Sequence, residues 1–262
     1  VWQREAEVAL AAARQAAAAI AEIYARPQVE SVEKADDKGP LTEADLKANQ
    51  ILIDTISAAF PDDAILSEET VDDPKRVENR RAWIIDPLDG TREFTMKIPE
   101  FVVSVGLALD GDVIVGVLVN PVTGEEFVGV VGGQFTYNGT PTRVTDHAVV
   151  DGARFLVSRS EMKKGWFAAW EGKCDLKPMG SVAYKLGLVA AGLSEASFTP
   201  VPRNEWDLAG GVACLRAAGG RATDRDGVDY KFNRPDPLHA GVCCTNGAIH
   251  GVVLELMQSQ RG

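Results

Sequence analysis

Cysteine and histidine are scarce in this chain of 262 residues, which holds four of the first and three of the second. Cys174, Cys214, Cys243 and Cys244 form no C-x-x-C pair, and the adjacent Cys243 and Cys244 are poorly placed to bridge each other. Buried free thiols in a reducing compartment are therefore expected. Basic residues are outnumbered as well: 27 Lys and Arg against 38 Asp and Glu leave a formal charge of −11. That balance argues against nucleic-acid polymers and anionic membranes as partners, because both normally require a basic face. An acidic chain that handles phosphate needs metal to neutralise it. Long apolar runs are missing too. Arg4, Glu5, Glu7 and Arg14 interrupt the alanine-rich start, so it has neither a secretory core nor a membrane-spanning length. The start at Val1 rather than Met leaves room for a short leader, and the expected location is the cytoplasm. Internal repeats, low-complexity tracts and long linkers are also absent.

What is present is ordinary globular material, 45% hydrophobic and 25% charged, enough for a sizeable core in one domain or two closely packed halves. Helix formers run from Trp2 to Tyr24 and stop at Pro27. Thr42-Glu43-Ala44-Asp45 has the form of a capping box and precedes Leu46, Ile53, Ile56 and Phe60 at helical spacing, placing Asp45 in a first helical turn. Extended runs follow at Ile65-Leu66, 83–85, 101–109, 113–119 and 127–131, with Asp110-Gly111 and Asn120-Pro121 between the last three, as in an antiparallel meander. Beyond residue 150 the pattern alternates. Strands are predicted at 154–157, 195–198, 241–245 and 252–256, and helices at 182–191 and 208–218, the latter stopped by Gly219-Gly220. The chain therefore divides into an α+β half over 1–150 and an α/β half over 151–262, expected to form one compact catalytic unit.

The chemistry concentrates where Trp83-Ile84-Ile85 runs into Asp86-Pro87-Leu88-Asp89-Gly90-Thr91, with Ser67-Glu68-Glu69 upstream. Taken alone, Asp-Pro-Leu-Asp-Gly is equally the composition of a surface turn. Its company favours a site: Thr42 to Asp45 before it, and Asn204-Glu205-Trp206-Asp207 far downstream. Glu68, Asp86, Asp89 and Asp207 offer oxygen only, and His147, His239 and His250 all lie remote from them in sequence, a donor set that suits Mg²⁺ or Mn²⁺ rather than Zn²⁺. Pro87 restricts the backbone so that the Leu88 carbonyl can join the two carboxylates. Gly90 permits a tight turn, after which the Gly90 and Thr91 amides open a helix and face an anion. No EF-hand-like loop is present, which argues against a cation buffer.

Pro40 through Asp45, Ser67-Glu68-Glu69, Asp86 through Thr91, Gly132-Gly133-x-Phe135 with Asn138-Gly139, and Trp206-Asp207 through Gly219-Gly220 resemble, in order and spacing, the inositol monophosphatase superfamily. The resemblance spans roughly residues 30 to 220. It implies a five-layer α/β/α/β/α sandwich like that of fructose-1,6-bisphosphatase, and a Mg²⁺-dependent, often Li⁺-sensitive phosphomonoesterase. Carried over by position, Glu68, Asp86 and the Leu88 carbonyl hold a first cation, and Asp86, Asp89 and Asp207 a second. Two or three Mg²⁺ ions are implied, with Mn²⁺ as a substitute. Asp45 and Thr91, with Glu68, form the catalytic set, and Asp89, Gly90, Thr91, Gly180, Ser181 and Asp207 the substrate contacts. Simpler roles stand beside these: Asp45 as a reciprocal cap, Asp207 as the N-cap of a helix from Leu208, Ser181 as a helix cap and Trp206 as packing, while Arg203, which could meet a phosphate or a ribose, reads more simply as a solvated loop charge.

Within the superfamily, Thr91-Arg92-Glu93-Phe94 looks like the form common in 3′(2′),5′-bisphosphate nucleotidases, where inositol monophosphatases more often carry Thr-Asn-Phe. Ser158-Arg159-Ser160 resembles the same branch, although as a plain reading it is a polar loop. The expected substrate is 3′-phosphoadenosine 5′-phosphate, cleaved to AMP and phosphate. Inositol 1-phosphate, or another small sugar or alcohol phosphate, is the alternative, and a catalytically silent binding protein is disfavoured by the complete ligand set. Gly39 departs from the Ser or Thr usual before Pro40, and Lys38 adds a cation to that loop. The partner is a small phosphorylated molecule, and a monomer or homodimer fits equally.

Overall fold

The computed structural model describes residues 1–33 and 40–259, so Lys38 and Gly39 lie outside the described residues. In chain order the elements are α1 (Gln3–Tyr24), β1 (Ser31–Glu33), β2 (Pro40–Thr42), α2 (Glu43–Ala59), β3 (Ala64–Ser67), β4 (Arg81–Asp89), α3 (Thr91–Thr95), β5 (Val102–Leu109), β6 (Asp112–Val119) and β7 (Glu126–Val130). There follow β8 (Phe135–Tyr137), β9 (Thr140–Pro141), β10 (Arg154–Ser158), α4 (Arg159–Lys163), β11 (Asp175–Met179), α5 (Val182–Ala190), β12 (Ala196–Thr199), β13 (Arg203–Asn204), α6 (Glu205–Ala217), β14 (Arg221–Thr223), β15 (Leu238–His239), β16 (Val242–Thr245) and α7 (His250–Ser259).

Seven strands in the order β3-β4-β5-β6-β7-β8-β9 make the larger sheet, parallel at β3/β4 and antiparallel beyond. Alternation along its strands supplies two apolar faces. Trp83, Ile85, Val103, Val105, Val115 and Val117 pack under α1 and α2, whose contact stripe includes Ala9, Ala13, Ala16, Ile20, Leu52 and Ile56. The small alanines of α1 let that helix lie close. On the opposite face, Ile84, Leu118 and Phe127 meet α5 and α6, and those helices in turn cover Leu156, Val242 and Cys244 of the second sheet. That sheet runs β11-β10-β12-β16-β14. Its outer face is closed by α7 and the residues around Phe167 and Trp170. The layers are thus α1/α2, sheet, α5/α6, sheet, α7, the five-layer sandwich that the motif resemblance implied.

One expectation fails at the C-terminus, where 252–256 belongs to α7 rather than to a strand. The residues that bury there are Ile249, Val253 and Met257, four apart, while Val252 stays exposed. A short apolar window conceals that helical period because two of the three anchoring residues fall outside it. The strand β11 was not anticipated: its Asp175-Leu176-Lys177-Pro178-Met179 is polar and holds proline, which an edge strand tolerates.

Close approach of α6 to the larger sheet is what brings the two halves of the chain together. Gly106, Gly116 and Gly129 stand directly opposite one another on β5, β6 and β7. A Cβ at Gly116 would lie 2.2 Å from the Gly210 carbonyl oxygen, one at Gly106 2.6 Å from Ala209 Cβ, and one at Gly129 2.7 Å from Cys214 Cα. Gly116→Ala is therefore expected to cost about 3 kcal/mol, which lowers the melting temperature by roughly 10 °C. An unchanged thermal midpoint for that variant would refute the contact.

Candidate active site

Because β3 and β4 are parallel, their C-terminal ends lie side by side, and the Glu68 amide donates to the Ile85 carbonyl at 3.2 Å. Asp86 shares the strand face of Ile84 and so looks toward α5 and α6. The strand pairing slips between Asp86 and Asp89, where Pro87 interrupts the ladder, and Asp89 emerges at the strand end. Asp207 arrives from the first turn of α6. It is not the N-cap, as expected from sequence, because Asn204 takes the extended cap conformation and the helix opens at Glu205. Asp207 instead completes a capping box, its Oδ2 accepting from the Asn204 amide at 2.9 Å. Its carboxylate also reaches the site, since ligand atoms of Asp86, Asp89 and Asp207 lie within 4.8 Å of one another. Glu68 and Leu88 line the same cavity.

Crowding like charges in a buried place is costly unless a cation joins them. Burial, and then Glu68, Asp89 and Asp207, push the Asp86 carboxyl well above its ordinary range. Burial, with Asp89 and Glu68, carries Asp207 up to about 7. Asp89 is also raised by burial, against the opposing hydrogen bonds from Ser181 and Ala183 and the charges of Lys185 and Arg203. Hard oxygen donors with this excess of negative charge fit divalent cations such as Mg²⁺ or Mn²⁺.

Asp45 caps its helix, as expected, and also reaches Thr91. Its Oδ2 accepts from the Thr42 amide at 2.8 Å and lies 2.6 Å from the Thr42 hydroxyl, closing the capping box of α2. Its Oδ1 stands 2.9 Å from Thr91 Oγ1, which also lies 3.0 Å from the Leu88 carbonyl. Thr91 begins α3 after Gly90, whose φ of 106° suits glycine; a Cβ there would fall 2.9 Å from the Glu100 carbonyl oxygen. A buried carboxylate, a hydroxyl and the acidic cluster thus meet at one strand end.

Gly180 and Ser181 line the cavity as well, in the turn that opens α5. Ser181 Oγ donates to Asp89 Oδ2 at 2.6 Å and accepts from the Tyr184 amide at 3.0 Å, so its capping role and its tie to the site coexist. The cavity, of about 400 Å³, is lined also by Arg92, Glu93, Ser158, Arg159, Ser160, Lys163, Lys185 and Arg203. Arg203 corrects the solvated-loop expectation: its Nη2 pairs with buried Glu161 at 3.1 Å, and it forms part of the wall. Nothing local in Arg203-Asn204-Glu205 signals this, since Glu161 lies on α4, remote in sequence. Lys185 escaped notice because it sits in an apolar helical run; burial lowers it to about 8. Arg159 pairs with Glu100, and the same Glu100 carboxylate accepts from the Gly180 amide at 2.8 Å. Trp206 packs against the central core, as its packing role required.

This layering, with carboxylates from β4 and α6 gathered beside a hydroxyl and a small polar cavity, is the kind of site a metal-dependent phosphatase requires. The sequence model of the inositol monophosphatase family matches residues 2–261, and the chain belongs to that family. It is 30% identical over 233 residues to the inositol-1-monophosphatase of Rhizobium meliloti (strain 1021), covering 84% of this chain and 85% of the relative. The solved structure of a Thermotoga maritima IMPase superposes with a TM-score of 0.87 at 26% identity, covering 98% of each chain. CysQ from Bacteroides thetaiotaomicron, described as a bacterial member of the same family, gives a TM-score of 0.78 at 28% identity, over 93% of this chain and 97% of that one. No helix among the described residues is long and apolar enough to cross a membrane.

Proposed function

We propose that this phosphatase hydrolyses the 3′-phosphate of 3′-phosphoadenosine 5′-phosphate, releasing AMP and inorganic phosphate with Mg²⁺. One observation carries the choice of substrate. In a chain with a net charge of −11, the cavity wall beyond the carboxylates gathers Arg92, Arg159, Lys163 and Arg203, with Arg159 and Arg203 also paired to Glu100 and Glu161. A substrate with a second phosphate gives such a wall an anion to meet, whereas a monophosphorylated polyol leaves it without one. The volume, about 400 Å³, is in the usual range for a small ligand. Arg92 and Glu93 of the first nucleotidase-branch feature and Ser158-Arg159-Ser160 of the second border this same cavity, while Phe94 is buried in the core.

Glu68, Asp86, Asp89, Asp207 and the Leu88 carbonyl would hold the cations, whose contribution is charge neutralisation and Lewis acidity at the phosphate. The chain's own residues supply the rest. Thr91 Oγ1, hydrogen-bonded to Asp45 Oδ1, is placed to orient a water and pass its proton to that carboxylate. The new P–O bond forms as the bond to the 3′-oxygen breaks, and the departing oxygen takes up a proton to become the nucleoside hydroxyl. Gly90, Ser181 and Asp207 line the cavity, where they would contact the phosphate. Phosphate release from 3′-phosphoadenosine 5′-phosphate and from inositol 1-phosphate, compared as kcat/KM with Mg²⁺ and with EDTA, tests the reading. A strong nucleotide preference is expected. A preference for inositol phosphate, the activity named in the Rhizobium meliloti relative, would replace it, and no release from either would point to a silent binding protein.

A further inference from the structure

Ser181 is an L-residue held at φ 52° and ψ 127°, a conformation that carries strain for anything but glycine. Something must hold it there. Its hydroxyl and the amide two residues on, at Ala183, both donate to Asp89 Oδ2 at 2.6 Å. The peptide that precedes it is gripped from both sides. Glu100 accepts from the Gly180 amide at 2.8 Å, while the Lys185 ammonium, only 6% exposed, reaches back from the first turn of α5. Its Nζ lies 2.6 Å from the Ser181 carbonyl, 3.2 Å from that of Gly180 and 3.5 Å from that of Met179. Glu93 fills the space above the turn: a Cβ on Gly180 would fall 2.3 Å from its Cδ.

We propose that Lys185 is a positioning residue for cation binding: by clamping the Met179 to Ser181 carbonyls it holds Ser181 in the geometry that orients Asp89. With its hydrogens directed at three carbonyls, the ammonium acts on the backbone of the turn and through it on the carboxylate. The inference rests on the cation reading of the site and not on the choice of substrate.

Its test is one of sign. Removing a positive charge near Asp89 strengthens cation binding if charge alone matters, whereas releasing the turn weakens it. Mn²⁺ is titrated into the substrate-free protein and the free ion followed by EPR, with the melting temperature recorded alongside. For Lys185→Met the Mn²⁺ dissociation constant is expected to rise about tenfold, the scale of losing a group that orients a ligand. A tighter or unchanged constant overturns the proposal, even if the variant melts earlier, because a merely structural lysine moves only the melting temperature. Should Lys185→Met not fold, Lys185→Gln, which retains an amide donor without the charge, is read by the same sign. Absence of Mn²⁺ binding by the unaltered protein would overturn the cation reading itself, independently of any substrate result.

Discussion

Replacing Asp86 with asparagine is expected to lower phosphate release by about 10³-fold, on the order of 4 kcal/mol of lost transition-state stabilisation, while making the metal-free protein more stable. The opposing signs have one cause. Asp86 is buried and crowded by Glu68, Asp89 and Asp207, so its charge opposes folding until a cation is present. Asparagine keeps an oxygen for the Leu88 amide, which donates to Asp86 Oδ1 at 2.9 Å, and removes the charge. The gain is about 1–2 kcal/mol, or roughly 4 °C in melting temperature. The same physics sets a pH dependence. A carboxyl whose folded value is raised adds stability below its ordinary value and loses it as pH rises through the folded one. For Asp207 that window runs from 3.8 to about 7. Metal-free protein should therefore melt lower at pH 8 than at pH 6, and saturating Mg²⁺ should reduce the difference. Glu205, raised to about 7 chiefly by burial, contributes with the same sign but lies outside the carboxylate cluster, so part of the slope should survive metal. Differential scanning calorimetry with and without Mg²⁺ measures both effects. An Asp86→Asn protein that keeps wild-type turnover would remove it from the cation site.

Asp45→Asn should reduce kcat by about 10²- to 10³-fold with a much smaller effect on KM, the range expected when a general base is lost. Asp45 lies on the Thr91 side of the site, its Oδ1 2.9 Å from Thr91 Oγ1, and is no member of the carboxylate cluster. Mn²⁺ affinity should accordingly stay close to wild type. The asparagine also weakens the capping box of α2, since the Thr42 amide donates to Asp45 Oδ2, at a stability cost of about 1 kcal/mol. Steady-state kinetics at saturating Mg²⁺ and the Mn²⁺ titration, taken together, separate these roles. Unchanged kcat would assign Asp45 to capping alone, and a large loss of Mn²⁺ affinity would make it part of the cation site.

Asp45, Glu68, Asp86, Leu88, Asp89 and Thr91 were legible because each lies at the junction of a predicted element, in a local pattern with few other purposes. Asp207 was legible as a candidate site residue yet misplaced in its helix, because capping-box and N-cap aspartates differ only in where the first turn starts, which depends on the conformation of Asn204. Lys185 was illegible, and Arg203 weighed as a loop charge rather than a cavity wall residue, for a different reason. A lysine in an apolar helix and an arginine in a loop acquire meaning only through what they touch, here the 179–181 carbonyls and Glu161. The strand read at 252–256 failed because burial at Ile249 and Met257 lies outside the window that looked extended.

Sequence alone determined the donor chemistry and the strand-to-helix turn that carries Asp86 to Thr91, since both depend on residue type and short spacing, while the layered fold was implied by the family resemblance of the motifs. Only the tertiary structure decided that Asp207 meets Asp86 and Asp89, that Ser181 holds Asp89, and that a basic wall faces an acidic cluster. These are contacts between distant segments, brought together where α6 lies against Gly106, Gly116 and Gly129, which carry no side chain to hold it off.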